Sequence, residues 1–337
     1  MELRKLQKLG TSSYFITLPK GWIRNHELKA GDKVGVSFEN DGSLRVVPLK
    51  RGVYKPRKSL VINLDRSKSS IGYIPAVITC AYILGYDTVE FNSLTGISKQ
   101  ELSTINKALS TCTGMVAIEE SKSKVLIECV IDSSKIDSTA ILKRTLSIVV
   151  DTLMNITVKN ITSSTVRYKV PESLRDELRK LHNLVMRVLV STRDVSVESK
   201  GMVYFVAAAL LEMLVDYMLS AASISSKLRG SLDKDTVERI KHFYNEVSEA
   251  ITVSVLSLTS LSLKMAQLGV NKCRSLLARV DSLLVDVIMK ASSPEEAAYL
   301  ANIIVKTIDS VKIALVISNM ALCNSITEDL SFSHENV

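Results

Sequence analysis

The chain has 337 residues, of which 46% are hydrophobic and 23% are charged, and this composition excludes an intrinsically disordered protein. Its net charge of +8 is unevenly distributed, because residues 1–60 hold 13 Lys and Arg against five Asp and Glu and thus carry the whole excess. The rest of the chain is electrically neutral. This asymmetry indicates a polyanion-binding module joined to a neutral body.

Residues 1–48 are predicted to form a small β-rich domain. The predicted elements are strands over residues 14–18, 34–38 and 44–47 and a short helix over residues 19–26. Pro19 suits the first turn of that helix, and Asn40-Asp41-Gly42 is a hairpin signal between the last two strands. So short a segment with few large apolar side chains buries too little surface to be stable alone. We therefore expect a second copy to complete its core.

A basic linker over residues 49–58 leads into an α/β domain over residues 59–135. Its predicted elements are strands over residues 60–64, 88–91, 116–119 and 124–129 and helices over residues 72–84 and from Ser98 onward. Ser98 and Glu101 have the spacing of a capping box at the start of the second helix. The segment contains neither a glycine-rich phosphate loop nor a cluster of catalytic residues.

The remainder is predicted to be an all-α domain over residues 136–330. Breaks in the pattern divide it into six helices at about 137–165, 171–192, 200–228, 234–267, 271–291 and 294–325. They fall into two sets of three. The third helix of each set carries a related phrase, Leu211-Glu212-Met-Leu-Val-Asp216 and Ile308-Asp309-Ser-Val-Lys-Ile313, 97 residues apart. This spacing indicates an internal duplication.

Cysteine usage and hydropathy favour a cytoplasmic protein without membrane insertion. The five cysteines are odd in number and include no C-x-x-C pair, which argues against a disulfide framework or a thiolate zinc site. Residues 1–5, Met-Glu-Leu-Arg-Lys, run directly into polar sequence, which is not the pattern of a secretory signal. The most apolar stretch, residues 201–223, carries Glu212 and Asp216 near its middle, and residues 251–263 are too short for a span.

Residues 3–48 resemble a SpoVT/AbrB-type DNA-binding domain. The phrases that carry the resemblance are Arg4-Lys5-Leu6-Gln7-Lys8-Leu9-Gly10, Ile16-Thr17-Leu18-Pro19-Lys20 with Trp22, and Leu28-Lys29-Ala30-Gly31-Asp32-Lys33-Val34. The resemblance implies a swapped-hairpin β-barrel built from two chains. It also implies a homodimer that presents its N-terminal strands and loops to double-stranded DNA.

The candidate DNA contacts follow from this resemblance and from side-chain chemistry. Lysine and arginine contact phosphates, while hydroxyls and amides position the protein or reach base edges. The candidates are Arg4, Lys5, Gln7, Lys8, Ser12, Ser13, Lys20 and Arg24. The alternative is that these charges form only a solvated face. Tyr14 and Trp22 are expected in the core rather than stacked on bases.

Residues 137–325 resemble the PhoU family, in which two three-helix repeats form a bundle. Residues 294–317 and 211–216 carry the match, and the whole chain is similar to archaeal PhoU-type phosphate uptake regulators with an AbrB-like N-terminus. The implied fold class is multidomain α+β: a dimeric swapped-hairpin barrel, a small α/β middle domain and an all-α PhoU-like bundle.

The PhoU resemblance also implies a carboxylate site for a divalent or ferric metal in each repeat. The candidate ligands are Glu212 and Asp216 in the first repeat and Asp281 and Asp309 in the second. Each repeat has lost one ligand, because Arg179 and Ile313 stand where the family pattern has a carboxylate. The alternative is that Glu212 and Asp216 form an ion pair with Arg179, which would neutralise the site. The four histidines lack ligand spacing and are expected to be ordinary polar residues.

Two functions remain open at this point. The first is a DNA-binding transcriptional regulator of phosphate uptake, whose bundle senses phosphate status or docks on a transport component. The second is a PhoU-like adaptor that docks on a phosphate transporter or signalling partner without sequence-specific DNA binding. An enzyme is not expected, because the sequence shows no nucleophilic constellation, nucleotide loop or intact metal triad.

Overall fold

The structure, a computed structural model, describes residues 3–10, 13–38, 42–48, 57–66, 70–163, 165–191, 198–229, 232–260 and 262–334. The chain divides into two compact units, Met1–Arg57 and Lys58–Val337, which we name the head and the body. The body contains both the predicted α/β domain and the predicted helical domain. Together the two units form a multidomain α+β protein that is rich in helix.

The head contains four short strands and one helix among its described residues. Strand β1 (Gln7–Leu9) pairs antiparallel with β2 (Ser13–Phe15), helix α1 (Lys20–Asn25) follows, and β3 (Val34–Phe38) pairs antiparallel with β4 (Leu44–Pro48). These strands form two separate two-stranded sheets. The β-prone residues 16–18 lie outside β2, and most of the predicted hairpin turn and linker lies outside the described residues.

The first part of the body is a four-stranded sheet covered on one face by two helices. The elements are β5 (Ser59–Asn63), α2 (Ser70–Ile83), β6 (Thr88–Asn92), α3 (Lys99–Leu109), β7 (Met115–Glu120) and β8 (Lys124–Cys129). The strand order is β5-β6-β8-β7; β5 and β6 are parallel, and the other neighbours are antiparallel. Ile74, Tyr82, Phe91 and Ile127 are fully buried between the helices and the sheet.

Local signals explain where the helices of this layer begin and end. Gly85 has a φ of 75° just beyond α2, a left-handed conformation that glycine adopts without strain. The capping box of α3 is confirmed, because Ser98 Oγ accepts from the Glu101 backbone N at 3.2 Å and Glu101 Oε2 accepts from the Ser98 backbone N at 2.8 Å.

The rest of the body is helical. Its elements are α4 (Ser138–Ser147), a π-helical segment (Ile148–Met154), α5 (Asn155–Thr162), α6 (Glu172–Ser191), α7 (Glu198–Ser225), α8 (Lys234–Ser260), α9 (Leu263–Met289) and α10 (Pro294–His334). Helix α6 packs against α4 and α7, while α10 packs against α7, α8 and α9. The long helix α10 therefore joins the two sets of helices around one continuous apolar core.

The predicted break at Gly269 is wrong. Helix α9 begins earlier, at Leu263, where the Ser262 side chain accepts from the Met265 backbone N and caps it. Gly269 lies inside α9, and a Cβ there would collide with the Ser318 hydroxyl of α10. The glycine therefore permits close helix packing and does not end a helix.

Two polar side chains of α6, one turn apart, donate hydrogen bonds to backbone carbonyls of the α/β layer. Asn183 Nδ2 donates to the Thr111 carbonyl at 3.0 Å, just beyond α3. Arg187 is 3% exposed, and its Nη1 donates to the carbonyls of Tyr82 and Tyr86, at the end of α2, at 2.7 and 3.1 Å. Asn183 and Arg187 therefore link α6 to the chain segments at the C-terminal ends of α3 and α2, and a cationic donor is favourable near such a helix end.

One described helix, over Met202–Ser225, is long and apolar enough to cross a bilayer by length and composition. The sequence argument that two carboxylates exclude a span therefore does not hold on those criteria. Leu214, Met218 and Ala222 of this helix are nevertheless buried in the bundle core. A core helix of a soluble protein passes the same test, so the finding is weak evidence for a membrane span.

Candidate functional site

The predicted DNA-contacting side chains lie on the exposed surface of the head. Arg4, Lys5, Gln7 and Lys8 are all exposed along the segment that leads into and forms β1. Ser13 begins β2, and the register places Lys8 opposite Tyr14. Exposed cationic and amide side chains on and just before a β-ribbon can contact the phosphates of a polyanion.

The other candidates are on or near α1. Lys20 is its first residue and Arg24 lies in its last turn, both exposed. Ser12 lies outside the described residues. Tyr14 is 63% exposed in the single chain, so its expected core position requires a surface that one head does not supply. Trp22 is half-buried and lies 5.1 Å from the His26 ring, centroid to centroid.

The apolar side chains of the head are mostly exposed in the single chain. Large apolar residues exposed there are Leu3, Leu6, Tyr14, Phe15, Ile16, Val36, Phe38 and Leu44. Among head residues whose burial is described, Leu28 is the one apolar side chain in the buried class. Two-stranded hairpins without a shared core are marginal in water. A single copy of the head therefore does not bury its own apolar side chains, and further apolar contacts would stabilise it.

The carboxylates predicted as metal ligands separate into two groups. Glu212 and Asp216 lie one turn apart on α7 and line a cavity between α6 and α7. Asp281 is exposed on α9, and Asp309 on α10 pairs with Lys312 at 3.1 Å. Ile313 is buried in the core.

The geometry gives the metal hypothesis no support within the described part of the chain. There, no three His, Cys, Asp or Glu side chains lie close enough together to hold a metal ion. The metal site predicted from the resemblance therefore stays a prediction.

The direct partner of Glu212 is His182, which the sequence argument did not single out. His182 Nε2 and Glu212 Oε2 are 3.0 Å apart. The hydrogen bond from His182 lowers the pKa of Glu212 against the opposing effect of burial, and the positive charge of Arg179 contributes a smaller lowering. A signal was present in the sequence, because Arg175, Arg179 and His182 are spaced by four and three residues and so share one helix face.

Asp65 is the most strongly hydrogen-bonded carboxylate of the α/β layer. It follows β5 and accepts from Ser93 Oγ at 2.8 Å, the Leu94 backbone N at 2.6 Å and Thr95 Oγ1 at 2.9 Å, all just after the parallel strand β6. These donors, the Leu94 N–H first, lower the pKa of Asp65 to about 2. The carboxylate ties two strand ends together and is engaged by the protein itself.

Comparison with known proteins finds a family that the head resembles. Residues 7–53 match the family described as antidote-toxin recognition MazE, bacterial antitoxin. No curated protein and no solved structure matches the chain significantly. Domains of this MazE/AbrB-like kind typically bind DNA and dimerise. The match supports the AbrB-like resemblance of the head and a DNA-binding, regulatory kind of function.

Proposed function

We propose that the chain is a cytoplasmic, homodimeric transcriptional regulator of phosphate uptake that binds double-stranded DNA through its head. The observation that carries DNA binding is that the MazE-like segment lies within residues 1–60, which carry the net positive charge of the chain. A cationic surface gives sequence-independent attraction to phosphates, on which base contacts then build specificity.

The homodimer is supported by the exposed apolar surface of the head. Two heads that exchange hairpins into one barrel would bury Phe38 and its cross-strand partner Leu44, which are 89% and 59% exposed in one chain. Burial of apolar area stabilises association by about 25 cal/mol per Å². Dimerisation also places two copies of β1 and its cations side by side, which extends the surface available to DNA.

The link to phosphate rests on the resemblance of residues 137–325 to PhoU and on the two sets of three helices. In this proposal the body senses phosphate status or docks on a phosphate-transport component, and it catalyses no reaction. A partner that prefers one arrangement of the two heads then shifts DNA affinity through that preference.

Fluorescence anisotropy on the full chain tests the proposal. DNA from the upstream region of its own gene is compared with a scrambled duplex across a salt series. We expect a preference for the former that persists at about 150 mM salt, with log K falling by about 0.9 per unit of log salt for each phosphate contacted. Loss of all sequence preference would favour the adaptor function instead.

Charge-removing variants locate the contact surface. Lys5→Gln with Lys8→Gln should weaken binding to both duplexes and reduce the salt slope, because phosphate contacts are lost. The matched control is Lys107→Gln with Lys143→Gln, which removes two exposed cations from the body. Equal weakening by the head and body double variants would mean that DNA affinity follows the net charge of the chain and that the head is not the DNA-contacting surface.

A further inference from the structure

A cavity of about 150 Å³ opens between α6 and α7, above α4. Most of the uncharged lining is apolar and includes Leu178, Leu211 and Val215, while Thr145 adds one hydroxyl. An apolar cavity of about this volume accommodates a group the size of benzene. The cavity thus fits a short apolar side chain.

Charged side chains of both signs form its rim. Helix α6 contributes Arg175 and Arg179, and α7 contributes Glu212 and Asp216. Arg175 Nη2 donates to Ser223 Oγ at 2.6 Å, and Glu212 is engaged by His182. Within the described part of the chain, Arg179 and Asp216 make no hydrogen bond or ion pair. A cation and an anion without direct partners therefore line the same cavity from opposite helices.

The presence of two arginines and two carboxylates on the rim favours a ligand that carries both a positive and a negative charge. The two guanidiniums repel a metal cation, and the two carboxylates repel a simple anion such as phosphate. A ligand that carries both charges meets an opposite charge at each end. Arginine also presents a fork of donors that matches a carboxylate, and a carboxylate accepts readily from an ammonium group.

We propose that the α6–α7 cavity binds a small zwitterion with a short apolar side chain, the chemistry of a free apolar α-amino acid. The ligand carboxylate pairs with Arg179, its ammonium group pairs with Asp216, and its side chain covers Leu178, Leu211 and Val215. The inference goes beyond the proposed function and does not depend on DNA binding, because every group it uses lies in the body.

Isothermal titration calorimetry of the purified full chain without DNA tests this site. The probes are leucine, valine, methionine and phenylalanine, with 4-methylpentanoate and 3-methylbutylamine as leucine analogues that lack one charge, and inorganic phosphate. We expect saturable binding of at least one amino acid, with the leucine analogues at least ten-fold weaker than leucine if leucine binds. Phosphate or 4-methylpentanoate binding more tightly than every amino acid would identify an anion site and overturn the proposal.

Two exposed variants assign the binding to this cavity. Arg179→Gln and Asp216→Asn should each weaken amino-acid binding at least ten-fold, while Lys180→Gln, an exposed α6 residue outside the lining, should leave it unchanged. Circular dichroism confirms that the variants fold. Wild-type affinity in both cavity variants would place the binding elsewhere. If no amino acid binds to the wild type, the proposal fails whatever the outcome with DNA.

Discussion

The head and the body solve the problem of stability in opposite ways. The head exposes most of its large apolar side chains and carries nearly all of the positive charge of the chain, whereas the body is close to neutral and encloses its own apolar cores. A unit that is both apolar and cationic on the outside depends on partners. The contrast supports the proposal that association completes the head, whereas the body has apolar cores of its own.

The largest effect is expected from a charge placed on the apolar surface of the head, which tests whether that surface is a dimer interface. Phe38→Asp should abolish dimerisation and reduce DNA affinity by at least about 100-fold, because a carboxylate cannot be buried unpaired in a dimer core. Light scattering and anisotropy measure the two effects. Val61→Asp, at a 63% exposed position on β5 of the body, is the control and should change neither. An unaltered dimer in Phe38→Asp would show that this surface is not an interface.

A second variant tests how firmly the body holds its two layers together. Arg187→Met should lower the free energy of unfolding by about 3 kcal/mol, because buried carbonyls lose charge-assisted hydrogen bonds. Urea denaturation of the full chain, followed by circular dichroism, measures the change. Arg279→Met breaks an exposed pair with Glu246 at 2.8 Å and should cost about 1 kcal/mol or less. Similar losses of unfolding free energy in both variants would show that the buried hydrogen bonds of Arg187 contribute no more than an exposed ion pair.

A third variant tests the packing of α9 on α10. Gly269→Ala should lower the free energy of unfolding by about 1–2 kcal/mol, since overpacking outweighs the gain in helix propensity. The new methyl group would disturb the hydrogen bond from Ser318 Oγ to Ser254 Oγ at 2.8 Å. Gly72→Ala in α2, where a Cβ meets open space, is the control and should not destabilise. Stabilisation by Gly269→Ala would show that the helices can separate without cost.

The smallest expected effect is the pH dependence contributed by Asp65. Its folded pKa of about 2 lies below the unfolded value of 3.8, so its stabilising contribution is fully present above pH 3.8 and is lost as the pH falls through about 2. The difference in unfolding free energy between the wild type and Asp65→Asn should therefore shrink over this range. Chemical denaturation at several pH values measures it, and a constant difference would contradict the assignment.

Local signals in the sequence predicted much of the body. The capping box at Ser98 and Glu101 depends on residues three apart, and its geometry is confirmed. The break at Gly269 failed because a glycine that ends a helix and one that admits a neighbouring helix look the same without tertiary context. The sequence also does not reveal the π-helical segment Ile148–Met154, which contacts α7 and α8, because no local signal separates it from the α-helices on either side.

The candidate sites were predicted less completely than the fold. The cations of the head follow from charge counting, which needs no coordinates. The pairing of His182 with Glu212 joins two helices, so it required knowledge of which faces meet. The sequence predicts Arg179 beside Glu212 and Asp216 and offers an ion pair among them. The structure pairs Glu212 with His182 instead, and the lack of direct partners of Arg179 and Asp216 is visible only in three dimensions.

The buried guanidinium of Arg187 bears on where domains of this protein can be exchanged with those of other proteins. Its acceptors lie on α2 and in the turn that follows it, so an α/β layer transplanted without α6 would lose these hydrogen bonds. A cut between residues 57 and 58, by contrast, falls between the two compact units. Exchange of DNA-binding specificity among such chains is therefore expected at that junction, with the α/β layer and the helices inherited together as a single piece.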